Sequence, residues 1–100
     1  MTKHEEYYRR MIDENSALFN DFMDLHDKYE KNPQIWQSEF NRKGEKIVGI
    51  IREWERRLCS HSEKGSYGKY SANLADKFWY LVRNDFSKID FIGVKAISST

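Results

Sequence analysis

One cysteine, one proline and five glycines in 100 residues leave this chain short of the usual material for cross-links and tight turns. Cys59 stands alone, which excludes an intramolecular disulfide and a cysteine-rich zinc framework. Charge of one sign is also lacking: 17 Lys/Arg stand against 16 Asp/Glu, so no strong global field draws the chain to nucleic acid or an anionic membrane. No apolar run approaches the ~20 residues that span a bilayer, and the opening Met1-Thr2-Lys3-His4-Glu5-Glu6 lacks the apolar stretch of a secretory leader. The expectation is a soluble, cytoplasmic protein with no membrane partner. Internal repeats and low-complexity linkers are missing too, which leaves one domain over residues 1–100.

What is present is apolar periodicity. Hydrophobic residues make up 39% of the chain and aromatics 15%, enough for a single core near the size at which surface limits burial. Thr2 and Glu5 have the spacing of a capping box. Beyond them Tyr8, Met11, Ile12, Leu18, Phe19, Phe22, Leu25 and Tyr29 recur at steps of three and four, predicting a first long helix over about 3–31. Asn32-Pro33 ends it, and the fixed φ of proline suits the first turn of a second helix over about 34–60. That helix gathers Trp36, Phe40, Ile47, Ile50, Ile51, Trp54 and Leu58 on one face, with Gly44 at its margin where a neighbour could approach closely. A shorter third helix over about 71–90 carries Leu74, Ala75, Phe78, Leu81, Val82, Phe86 and Ile89, with Ser71 or Asn73 as its cap.

These elements predict an all-α fold, an antiparallel three-helix bundle of two long helices and one shorter one. Residues 1–31 hold five Lys/Arg against eight Asp/Glu, and residues 32–58 hold six against four, so an acidic first helix lies beside a basic second one. A short third helix leaves the Asn32-Pro33 end of the hairpin without a cover. Either the C-terminal apolar segment 91–97 packs on the bundle there, or it lies in a dimer interface.

Three groupings have the residue types that chemistry uses. In the connector 59–71, Gly65 and Gly68 permit positive φ, successive amides there can cradle an anion, and Lys64 and Lys69 add charge. His61, Lys64, Ser66, Tyr67, Lys69 and Tyr70 are its candidate binding residues, and Arg56 and Arg57 extend it as a basic patch. The spacing departs from a Walker loop, and the plain alternative is a connector in which glycine stops one helix and serines cap the next. Second, His26 and Asp85 fall on otherwise apolar faces and could form a buried polar pair; the usual role of such a pair is to fix helix register. Third, His26-Asp27 is a bare dipeptide without the further ligands a metal site needs, and Cys59 with His61 makes only two, so no metal and no cofactor are expected.

No catalytic motif emerges, and the chain reads as a helical protein-interaction module and not an enzyme. Its expected partner is a second copy, in a homodimer, or another protein. The alternative is a phosphate ligand or nucleic acid bound by the basic and aromatic residues of 61–71.

Overall fold

In the computed structural model, the backbone is described for residues 1–62 and 68–93, and side chains for 1–60 and 73–93. Among the described residues four α-helices follow one another: α1 (Lys3–Glu14), α2 (Ser16–Lys31), α3 (Pro33–Ser62) and α4 (Gly68–Asp85), with a 3₁₀ turn at Ile89–Phe91. No strand occurs among the described residues. No helix among them is long and apolar enough to cross a membrane.

The capping box forms. Thr2 Oγ1 accepts the Glu5 amide at 3.3 Å, and the Thr2 amide donates to Glu5 Oε1 at 2.8 Å. The first long helix, however, is two helices, which corrects the count from three to four. Asn15 adopts φ −129° and ψ 33°, its amide turns back to the Ile12 carbonyl, and its side-chain Nδ2 donates to the Met11 carbonyl at 3.0 Å. A short polar side chain thus competes with the helical ladder for the same acceptor, and the ladder breaks there. Proline does what its covalent geometry dictates, since α3 begins at Pro33. The last long helix starts at Gly68 and ends at Asp85, earlier at both ends than the 71–90 expected from periodicity.

At about 1.5 Å per residue, the 30 residues of α3 span about 45 Å and form the spine of the molecule. α2 covers its first half, where the Phe40 ring lies between Tyr29 and Phe22. α1 covers its second half, where Tyr7 meets Trp54 edge-on. α4 runs back along the other side, with Phe78 against Tyr8 and Phe86 against Phe19 and Phe22. The buried series on α3 is Gln37, Phe40, Gly44, Ile47, Ile51, Trp54 and Leu58, at alternating steps of three and four. The resulting bundle measures 50 × 27 × 18 Å, and its radius of gyration of 14.9 Å exceeds the ~13 Å of a rounder 100-residue fold.

Beyond α4 the chain turns back over the first half of α3. Ile89 is buried in the core and Ile92 packs against it. The Phe91 carbonyl accepts Gln37 Nε2 at 3.1 Å, and the Gly93 amide donates to Asn41 Oδ1 at 2.7 Å. Residues 86–93 therefore supply, from within the chain, a cover for the end of the hairpin that the short third helix left open. Residues 94–97 of that apolar segment lie outside the described residues.

Two glycines on α3 make opposite predictions. A Cβ at Gly44 would come within 2.5 Å of Ile92 Cγ1 and Cδ1, whereas a Cβ at Gly49 meets nothing within 4 Å. Gly49→Ala is expected to raise the melting temperature, since alanine is favoured over glycine in a helix interior by about 1 kcal/mol. Gly44→Ala should lower it, because displacing Ile92 at an overpacked site costs about 1–3 kcal/mol and outweighs the same propensity gain. Calorimetry that moved both variants in the same direction would contradict the packing at Ile92.

Candidate functional site

Three of the sequence-derived groupings are answered by geometry in different ways. Lys64, Ser66 and Tyr67 lie outside the described residues. His61 sits in the last turn of α3, and Lys69 and Tyr70 in the first turn of α4, but their side chains are outside the described set as well. The basic patch is partly neutralised: Arg56 and Arg57 both donate to the Glu53 carboxylate, at 2.9 and 3.2 Å, and Arg57 also lies over the Trp54 ring at 4.6 Å. Held between two guanidinium groups, Glu53 has its carboxyl pKa below the usual range, chiefly through the Arg56 hydrogen bond.

The expected His26–Asp85 pair does not form. Asp85 is exposed and takes the hydroxyl of Tyr8 at 2.7 Å. Burial, and then this bond, push the Tyr8 phenol well above its ordinary range. His26 is only 3% exposed and packs among the rings of Phe22, Phe40 and Phe86. Its Nε2 accepts the backbone amide of Lys88 at 3.0 Å, in the turn between α4 and the 3₁₀ segment. The buried imidazole is satisfied by backbone, not by a carboxylate.

His26, Asp27 and Glu30 bring three ligand-type atoms within 4.8 Å of one another. The donor chemistry does not suit a cation. Because Nε2 accepts a hydrogen bond, the neutral ring carries its proton on Nδ1, the atom that faces Glu30 Oε1 at 3.9 Å. A metal at Nδ1 would displace that proton and leave an imidazolate, whereas histidine ligands ordinarily keep a donating N–H on the far nitrogen.

The feature that pairwise sequence reading missed is a cleft of about 480 Å³ between α3, α4 and the 3₁₀ turn. Its floor is the α3 surface at Val48 and Gly49, with Trp79 of α4 and Ile92 of the returning segment lining its sides. The Trp79 indole is fixed by its Nε1–H donating to Glu55 Oε1 at 3.0 Å, with the Arg83 guanidinium 5.4 Å from the ring centre. Arg83 in turn grips Asp90 bidentately, Nε to Oδ2 at 2.8 Å and Nη2 to Oδ1 at 3.1 Å. The Arg83 hydrogen bond holds the Asp90 carboxyl below its ordinary pKa. Both partners are largely solvent-exposed, so this clamp shapes the rim more than it stabilises the fold.

At the two ends of the floor stand Glu45 and Arg52, seven residues apart on the same side of α3 and exposed, with no ion-pair partner among the described residues. Gly49 lies between them. Tertiary approach of α4 and the 3₁₀ turn creates this arrangement, and the only signal in the sequence is a glycine inside an otherwise strong helical pattern. No protein family model, curated protein or solved structure matches the chain, and the chemistry of the cleft itself carries the functional reading.

Proposed function

We propose that this chain is a non-catalytic helical binding module whose cleft between α3, α4 and the 3₁₀ turn takes an extended peptide segment of a partner protein. The observation that carries the reading is Gly49, which lowers the helical propensity of α3 by about 1 kcal/mol and has no neighbour within 4 Å that requires it. An exposed glycine without a side chain over it leaves the α3 backbone open to close approach by an occupant. Around it, Val48, Ile92 and Trp79 offer apolar and aromatic surface, while Glu45 and Arg52 offer opposite charges at the two ends.

The spacing specifies the segment. Seven residues of helix separate the two charges by about 10 Å along the axis, and an extended chain covers that distance in about three residues. Every second side chain of an extended segment shares a face. The shortest pattern that aims both charges and an apolar group at the cleft is therefore a basic, an apolar and an acidic residue at alternate positions, with the cation at Glu45, the apolar side chain over Gly49 and the anion at Arg52. Buried His26 and exposed Asp85 support binding over catalysis, since each is committed to a structural hydrogen bond with another partner.

The test is amide and indole NMR with a capped Lys-Ser-Leu-Ser-Glu peptide and its reversed Glu-Ser-Leu-Ser-Lys counterpart. Shifts at Gly49, Arg52, Gly93 and the Trp79 indole, abolished by Gly49→Leu, are the expected result. No response to either peptide overturns the reading. Concentration-dependent shifts of the same residues without peptide would instead assign the cleft to self-association, in a homodimer. Salt-sensitive oligonucleotide binding that leaves these signals unmoved would favour the phosphate-binding alternative at 61–71.

A further inference from the structure

His26 reaches from α2 to the backbone of the segment that forms one wall of the cleft. Its Nε2 accepts the Lys88 amide, and within the next five residues come Ile89 in the core, Asp90 in the Arg83 clamp, and Ile92 and Gly93 on the cleft lining. Ser87, one residue earlier, donates to Glu30 Oε2 at 3.2 Å, so the hydrogen bonds from residues 87 and 88 to α2 end on the His26–Glu30 pair, beside the Phe86 ring packed on Phe19 and Phe22. The backbone hydrogen bond from the turn to α2 therefore depends on an acceptor that one proton can remove.

We propose that His26 is a proton-operated latch for the cleft: when its imidazole is protonated, Nε2 becomes a donor facing the Lys88 N–H, and the turn that leads into wall residues 89–93 loses its backbone hydrogen bond to α2. The proposal adds regulation to the binding site argued above and rests on that reading for its biological meaning, though the latch can be observed without any partner.

The surroundings set the direction. Phe22 on α2, Phe40 on α3 and Phe86 at the end of α4 desolvate the ring and favour its neutral form. Of the charged groups acting on it, Glu30 and Asp27 on α2 favour the cation and Lys88 in the turn opposes it. Burial is the largest influence, and it holds the His26 pKa below the ordinary histidine value of 6.5. The sign follows from linkage. In the released state the ring titrates near its ordinary value, so the latch is closed at and above neutrality. Opening becomes favoured by about tenfold per pH unit as pH falls below ~6.5, down to the depressed pKa of the closed form.

The experiment is a titration of the full chain from about pH 7.5 to about pH 5, without peptide, followed by amide NMR and by the hydrogen-exchange protection factor at Lys88. The expected result is that the Lys88, Ile89 and Gly93 amides move with the His26 ring resonance and Lys88 loses protection, while the Ile51 and Phe78 amides hold. In His26→Gln, whose side-chain oxygen accepts the Lys88 amide without titrating, the response should vanish. Unmoved wall amides, simultaneous loss of all native signals, or an unchanged response in His26→Gln would each overturn the latch, and wild-type titration alone decides if that variant does not fold. A latch that titrates in a protein to which neither peptide binds at pH 7.5 would overturn the peptide reading and leave the switch standing.

Discussion

Phe40→Ala is expected to cost about 3–5 kcal/mol of folding free energy, a large part of the ~5–15 kcal/mol that holds a domain of this size together. Phe40 is fully buried, and the Tyr29 ring stacks on it at 4.0 Å with 7° between planes. Phe22 lies at 5.3 Å and His26 at 6.0 Å between ring centres, so alanine removes the contact shared by three aromatic neighbours at once. These neighbours sit on α2, which is anchored mainly by α3. The cavity would therefore open along the seam between the two helices, where rigid rings collapse poorly. Phe91→Ala is the internal control, because that side chain is 45% exposed and its loss should stay within about 0.5 kcal/mol. Urea denaturation of both variants gives the comparison. A Phe40→Ala loss below about 1.5 kcal/mol would mean that the stacked rings are not the seam of the fold.

Sequence periodicity placed most of this core because helix burial repeats at steps of three and four, a property of the backbone itself. The capping box at Thr2 and the stop at Pro33 were legible for the same reason, since each depends on residues close together in the chain. The break at Asn15 was not. An asparagine can continue a helix or bond back to it, and which outcome wins depends on whether α1 and α2 gain by packing on different partners. Once the helix breaks, the stripe rotates, and Tyr7 takes the buried position assigned to Tyr8. Gln37 shows the opposite lesson. It falls in the alternating series with Phe40, Gly44 and Ile47, so periodicity alone would have placed it inside had polarity not argued against it.

The site was less legible than the fold for a physical reason. Arg52 and Trp79 lie on different helices, and their meeting is decided by how α4 and its 3₁₀ turn settle on α3. His26 is a buried polar residue whose partner is a backbone amide, which no side-chain pattern marks. At Gly44 periodicity marks a place of close approach, but only the structure shows that the approaching group is Ile92 from the returning segment.

Gln37→Leu is the second substitution with a large expected effect, about 2–4 kcal/mol, although it makes the core more apolar. The Gln37 Oε1 accepts the Tyr29 hydroxyl at 2.7 Å, while Nε2 donates to Asn41 Oδ1 at 2.7 Å and to the Phe91 carbonyl at 3.1 Å. Leucine leaves the Tyr29 hydroxyl without its acceptor in a side chain only 4% exposed, and removes the donor that ties the 3₁₀ turn to α3. Each buried group so orphaned costs about 1–3 kcal/mol, of which leucine recovers part by apolar burial. The signature is coupling. Adding Tyr29→Phe to Gln37→Leu removes the orphaned hydroxyl, so the double variant should be more stable than the sum of the singles predicts, by about 1 kcal/mol. Additivity within about 0.3 kcal/mol in a denaturation cycle would show that the hydroxyl finds another partner. The cleft should register the change too. Asn41 Oδ1 is shared between Gln37 and the Gly93 amide, so releasing one donor loosens the wall that His26 holds from the other side.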